Sequence, residues 1–229
     1  MLSAYRKGYS CQSVLLKLIE DSKTNLDDGL LVGFLLQDLS KAFDCLPHGL
    51  LIAKLNAYGL SKSACQLIAS YLTNRKQRVK IQSFRSQWND LEKGVPQGSV
   101  LGPLLFNVFI NDLFYFIKLC NLYNFADDNT LSSHSRSLGQ LMCNLKHDSS
   151  ICIQWYENNG MEANPDKFQF MVASSTSMTP IKFNIYDDIV IESKPVVKAL
   201  GVLIDCQLNF KEHTKELCIK AARQLNAFF

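Results

Sequence analysis

No apolar run approaches the roughly 18 consecutive residues that a membrane-spanning helix requires, so the sequence offers no span. Its eight cysteines include no CxxC pair, which removes the commonest zinc-ligand spacing. Most of them lie within apolar runs, where a free thiol behaves as a small hydrophobe. There is no internal repeat and no low-complexity linker, and MLSAYRKGYSCQ lacks the charged-then-apolar pattern of a secretory signal. An intracellular protein is expected; with no basic import cluster, nucleus and cytoplasm are not resolved. An excess of one charge is also missing: 24 Lys and Arg against 21 Asp and Glu give +3, too little to indicate a partner by itself.

What is present is core-forming material. Hydrophobic residues make up 47% of the 229, which excludes wholesale disorder and suits one large domain or one and a half. SCQSVLLKLIE reads as a helix with Val14, Leu15 and Leu18 on one face and Ser10 or Ser13 as its cap. LLVGFLLQDLSKAF reads as a buried strand ending near Asp38. LLIAKLNAY and SACQLIASYL follow as helices, the second with Ala64, Leu67, Ile68, Tyr71 and Leu72 at helical spacing. Residues 78–91 suit a short hairpin, and GVPQGSVLGP is a Gly/Pro-punctuated loop feeding an apolar helix with Pro103 in its first turn. YNFADDNTL reads as a hairpin, and Ser137 opens a helix that stops at Asn158–Gly160. FQFMVA, IKFNI, DIVIE and VKALGVLI are strand-like runs, and 211–229 is helical. This order suits an α+β domain whose antiparallel sheet packs against helices on one face.

Two features raise chemical questions. NRKQRVK places Arg75, Lys76, Arg78 and Lys80 close together, either as a solvated loop and edge strand or as a contact for phosphates. Asp127 and Asp128 are adjacent acids between an aromatic-rich run and a polar turn. They are either solvated turn residues or, with Asp38 converging from a neighbouring strand end, a site for hard cations. Mg²⁺ favours carboxylates plus substrate phosphates, and a pair of such ions activates a hydroxyl and stabilises a leaving oxygen. A second pair, Asp187 and Asp188 in IYDDIV, reads as an ordinary hairpin turn, because no substrate-binding loop precedes it at the right distance.

DLSKAFD, GVPQGSVLGPLLFNVFINDL and NFADD occur in this order, with RKGYS before them and NNGMEANPDKFQFM and VKALGVLID after. Together they span nearly the whole chain, which resembles the reverse transcriptases of non-LTR (LINE-type, jockey- or CR1-like) retrotransposons. The resemblance implies a right-hand polymerase palm, an antiparallel sheet packed on helices, with partial fingers and a truncated thumb. The expected division is about 1–30 partial fingers, 31–205 palm with an inserted fingers segment at about 60–95, and 206–229 the start of the thumb. It also leads us to expect a chain cut from a longer one, without the endonuclease, the first part of the fingers or the full thumb.

By position, the resemblance makes Asp38, Asp127 and Asp128 the catalytic acids, holding two Mg²⁺ ions with Mn²⁺ as a substitute. Phe43 corresponds to a gate whose ring collides with a ribose 2′-hydroxyl. Pro96, Gln97, Gly98 and Ser99 correspond to the loop against template and nucleotide. Lys167 is a general acid or a solvated lysine, and Leu200 and Gly201 correspond to the primer grip. Arg75, Lys76, Arg78 and Lys80 become contacts for the backbone of an RNA–DNA hybrid. The implied partners are RNA template, DNA primer and dNTP, with no membrane. The implied function is RNA-directed DNA synthesis; the alternative is a catalytically silent retroelement remnant, at most a weak nucleic-acid-binding module. An RNA-dependent RNA polymerase is disfavoured by Phe43, since sensing a ribose hydroxyl calls for a polar group.

Overall fold

The computed structural model describes residues 2–174, 179–186 and 189–226. In chain order its main elements are helix α1 (Cys11–Asp27), strand β1 (Leu31–Gln37), and helices α2 (His48–Ala57), α3 (Lys62–Leu72) and α4 (Leu101–Ile110). Strands β2 (Asn121–Phe125) and β3 (Asp128–Ser135), helix α5 (Leu138–Asn158) and strand β4 (Gln169–Ala173) follow. The chain continues through β5 (Lys182–Tyr186), β6 (Ile189–Glu192), β7 (Val196–Ala199) and β8 (Val202–Asp205) to helix α6 (Lys211–Asn226). Helices α1, α3 and α5 begin at hydroxyl caps. Ser10 and Ser13 exchange bonds at α1, while Ser61 accepts from Ala64 N–H and Ser137 from Gln140 N–H.

The central sheet is antiparallel, in the order β4–β1–β3–β2. Side chains of a strand alternate between faces, and β1 is buried at every position after its first. Leu35 joins Leu131, Leu141, Leu145 and Phe170 in one core. Val32, Phe34 and Leu36 join Val14, Leu18, Met171, Val197 and Ile204 in another. The sheet is therefore covered on both faces, by α5 on one and by α1 with the β7–β8 hairpin on the other. This corrects the expectation of helices on one face only. The physical reason lies in LVGFLLQ itself, which has no polar alternate set to present to water before its last residue. Burying each of Phe34 and Leu35 contributes about 1.5–3 kcal/mol. Gly33 makes room for α5, since a Cβ there would lie 2.7 Å from Leu145 Cδ1.

VKALGVLI is not one strand but a tight hairpin. Ala199 pairs with Val202, and the two residues between them, Leu200 and Gly201, both have left-handed backbone, at φ +46° and +86°. Glycine takes that conformation freely; leucine does not. Asp187 and Asp188, the second acidic pair, lie outside the described residues.

One buried charge organises the approach to the sheet edge. Asp148, fully buried in α5, accepts N–H bonds from Lys118, Leu119 and Cys120 at 3.2, 2.8 and 2.7 Å. Its other oxygen lies 2.9 Å from His147 Nδ1. Three converging donors compensate the desolvated carboxylate and pin the segment that enters β2. Burial and the Asp148 charge push the thiol of Cys120 far above its ordinary range. Asp148→Ala would orphan the three donors. We expect a loss of about 3 kcal/mol or more and a fall in Tm on the order of 5–10 °C by calorimetry; an unchanged Tm would remove the anchoring role.

Candidate active site

Asp38 is the first residue beyond β1, and Asp128 is the first of β3. The β1–β3 register pairs Gln37 with Asn129. One step further out, the antiparallel strands set Asp38 beside Asp128. The β2–β3 hairpin closes with Phe125 opposite Asp128, leaving Ala126 and Asp127 as its two-residue turn. Such turns need left-handed backbone, and Ala126 supplies it at φ +55°, a conformation that costs a non-glycine residue about 1–2 kcal/mol. Two buried asparagines hold the turn. Asn124 Nδ2 donates to Ala126 O at 2.6 Å and to Asn129 Oδ1 at 2.9 Å, and Asn129 Nδ2 reaches Asp127 O at 3.4 Å.

The other side of the acids comes from NPDKF. Asn164 N–H donates to Asp38 O at 3.0 Å, and Lys167 Nζ lies 3.1 Å from Asp38 Oδ2. The lysine is largely exposed, so the pair orients more than it stabilises. Just behind, the Tyr156 hydroxyl donates to Gln37 Oε1 at 3.0 Å in a fully buried bond that fixes the end of β1. Asn124, Asn129, Gln37 and Tyr156 were not among the residues singled out from sequence. The one available signal was a run of amides ending otherwise apolar strands.

The three acids share two neighbouring cavities. Asp38 and Asp128 line one together with Lys167 and Leu200. Asp127 lines the next, of about 370 Å³, with Phe43, Gln97, Gly98 and Tyr5. Although the Asp128 residue is open to solvent on one side, burial of its carboxyl, then the charges of Asp127 and Asp38, raise that carboxyl above its ordinary range. The carboxylates therefore feel one another. Among the described residues no group of three or more His, Cys, Asp or Glu side chains is drawn close enough to hold a metal ion by itself. Hard oxygen donors under mutual repulsion nevertheless suit a hard cation that brings its own water and phosphate ligands.

Phe43 lies in a short 3₁₀ turn, Ala42–Asp44, on the wall of the second cavity. Its ring stacks on Phe106 at 4.3 Å between centroids, and Tyr5 meets its edge at 6.4 Å. The loop beside it is tied down by backbone. Gly94 N–H donates to Leu46 O, Val95 N–H to Phe43 O, and His48 Nε2–H to Gly94 O at 2.7 Å. Gly94 has φ +85°, and a Cβ there would sit 2.8 Å from the Asp44 backbone, so only glycine permits this approach. Gln97 then donates from Nε2 to Asp44 Oδ1 at 2.9 Å. Pro96 and Gly98 line the same cavity, while Ser99 Oγ turns back to Pro96 O and accepts from Gly102 N–H.

The remaining residues are more dispersed. Leu200 reaches the Asp38–Asp128 cavity, whereas Gly201 serves the turn. In the basic run, Arg75 packs over Tyr71 and lines a groove with Gln97. Lys76 is paired with Asp90 at 3.3 Å, Arg78 covers Trp88, and Lys80 opposes Arg85 across a ladder.

An antiparallel sheet backed by helices, with acids at the ends of its two central strands, is the palm of a template-directed polymerase. Comparison with known proteins makes this specific. The family described as reverse transcriptase (RNA-dependent DNA polymerase) matches residues 2–204. The chain is 27% identical over 238 residues to the probable RNA-directed DNA polymerase from transposon BS of Drosophila melanogaster, covering 96% of this chain and 26% of that protein. It is also 27% identical over 185 residues to the polymerase of the mobile element jockey from the same organism, covering 77% and 20%. The chain thus spans about a quarter of the length of the curated relatives it matches. In fold it is similar to apo telomerase from Candida tropicalis, with a TM-score of 0.61 at 14% identity over 87% of this chain and 39% of that one. Telomerase from Candida albicans, solved with a fragment of telomeric RNA, has a TM-score of 0.56 at 16% identity over 89% and 33%. The chain belongs to the reverse transcriptase family and is homologous to the RNA-directed DNA polymerases of non-LTR retrotransposons. That family uses divalent metal ions. Among the described residues no helix is long and apolar enough to cross a membrane.

The raised Asp128 carboxyl yields a signed prediction. Below the carboxylate range the group is protonated folded and unfolded, so it has no effect. As pH rises through its folded value the charged form penalises the folded state, and the penalty is complete above it. Asp128→Asn removes that penalty. In EDTA near pH 7 the variant should have a higher Tm than wild type, the gap closing toward about pH 3. Mg²⁺ should raise Tm in wild type and not in the variant. A less stable variant at neutral pH would show that the acids do not repel.

Proposed function

We propose that the chain is an RNA-directed DNA polymerase domain, adding dNTPs to a primer 3′-hydroxyl on an RNA template. The observation that supports it most is the β1–β3 register, which sets Asp38 beside Asp128 with Asp127 at the adjoining turn. In this reading Asp38, Asp127 and Asp128 hold two Mg²⁺ ions, with Mn²⁺ as a substitute. When bound, the ions lower the cost of an attacking alkoxide and of the charge on the leaving oxygens. The 3′-oxygen forms a bond to the α-phosphorus as the α–β bridging bond breaks. The hydroxyl proton passes to solvent, and pyrophosphate leaves with a proton from Lys167. Phe43 excludes a 2′-hydroxyl. Pro96, Gln97, Gly98 and Ser99 shape the floor under the nascent pair, and Leu200 and Gly201 hold the primer end.

The same reading divides the chain into about 1–30 as part of the fingers, 31–205 as palm with a fingers segment at about 60–95, and 206–229 as the start of a thumb. Arg75, Lys76, Arg78 and Lys80 contact nucleic acid from that fingers segment, where phosphates provide most of the attraction.

Primer extension with an RNA template, DNA primer, dNTPs and Mg²⁺ tests the proposal. Asp127→Ala should lower incorporation by at least about a thousandfold, as loss of a main electrostatic group does. Folded wild-type protein that extends nothing would reduce the chain to a silent nucleic-acid-binding module. Phe43→Ala should leave incorporation of dNTPs measurable and admit rNTPs; unchanged sugar discrimination in that variant would remove the gate.

A further inference from the structure

The hairpin between α3 and the Gly94 loop has two ladders. Lys76–Gln77 pairs with Asn89–Asp90, and Lys80–Ile81 pairs with Phe84–Arg85. Its outer half is built against its own stability. Val79, Ile81 and Phe84 are 63%, 67% and 77% exposed, apolar side chains with no core beneath them. Lys80 stands directly opposite Arg85, and like charges in facing positions destabilise a strand pair. Among the described residues no acid pairs with Arg78, Lys80 or Arg85, and the nearby Asp90 is taken by Lys76. The Arg78 guanidinium lies 4.4 Å over the half-exposed Trp88 ring, making a flat cationic layer.

Strand alternation separates the two chemistries. Ile81 and Phe84 face one way, Lys80 and Arg85 the other. Two uncompensated cations on one face of this narrow hairpin and an open aromatic ring on the other suit a flexible polyanion that can wrap the tip and whose units also carry flat apolar rings. A double helix offers phosphates but keeps its base faces stacked inside, so it could use the cations and leave Phe84 in water. A single strand uses both. From the base of the hairpin, a groove of about 1,100 Å³ runs past Arg75, Gln77 and Lys93 to Gln97.

We propose that this hairpin is a platform for unpaired nucleic acid, stacking bases on Phe84 and the Arg78–Trp88 layer and taking phosphates on Lys80 and Arg85. To the hybrid contact expected of the basic run it adds a single-strand contact that only unpaired bases can make. It rests on the reading of the chain as a template-copying enzyme, for which it holds template not yet copied.

Fluorescence anisotropy of the whole chain with a short unstructured RNA, and with the same RNA paired to DNA, tests this without turnover. Phe84 is a surface residue, so Phe84→Ser should fold. It should weaken single-strand binding at least about five-fold and leave hybrid binding unchanged. Joint Lys80→Ser and Arg85→Ser substitution should weaken both and reduce the salt slope for the single strand by about 1.4. No binding of RNA by wild type, no effect of Phe84→Ser, or an equal loss for both ligands would overturn the platform. So would loss of binding to phosphatidylserine vesicles with RNA affinity unchanged, which would assign the tip to a lipid surface. Asp127→Ala should bind RNA as wild type does. If that variant still extended primers while the Phe84→Ser effect held, the active-site reading would fall and the platform would stand.

Discussion

The antiparallel pairing of β1 with β3 is the constraint on which the site depends. Asp38 and Asp128 repel, so nothing about the acids themselves brings them together. Their adjacency is imposed by Phe34 and Leu35, buried on opposite faces of one strand. A slip of one residue would exchange those faces and put Gly33 where Phe34 packs. Hydrophobic burial therefore fixes a register that electrostatics opposes. In the proposed reading, the fold thereby stores an arrangement that a cation would relieve.

The same region carries other costs and their compensation. Ala126 and Leu200 hold left-handed backbone without being glycine; Ala126 precedes Asp127 in its turn, and Leu200 lines the Asp38–Asp128 cavity. Strain of this kind persists only where surroundings over-determine it. Asn124 and Asn129 do so at the acidic turn, Tyr156 fixes the end of β1 through Gln37, and Asp148 anchors the entry to β2. Lys167 meets Asp38 from the far side at low energetic value, which leaves the acid available to another partner.

Around this centre the two cavities divide the three acids. Asp128 with Leu200 lines one, and Asp127 with Phe43 and Gln97 lines the other. In the proposed reaction these are the primer side and the nucleotide side of a single bond-forming point. The aromatic stack Tyr5–Phe43–Phe106 and the Gly94 approach to Asp44 give the nucleotide side rigid walls. Rigidity matters there because selection against a single hydroxyl works only if the wall cannot retreat.

Much of this was legible in the residues. Ser10 and Ser137 marked helix starts, YNFADDNTL marked its hairpin, and the order of DLSKAFD, GVPQGS and NFADD carried the family resemblance. The covered second face of the sheet was written in LVGFLLQ but read too narrowly. The turn at Leu200 was missed because leucine is no turn former, and only pairing partners force it there. Asn124 and Asn129 showed only as amides at the ends of apolar strands, and Tyr156 and Asp148 gave no local sign of their work, since a polar residue's partner many positions away is invisible to periodicity. By itself the sequence determined which acids, which aromatic ring five residues after Asp38 and which glycine loop the chain contains, because those are matters of residue type and spacing. Only the tertiary structure decided that Asp38 stands beside Asp128, that Lys167 meets it and that Phe84 stays in water. Distances between segments remote in sequence are set by how two buried faces pack, and no single segment encodes that.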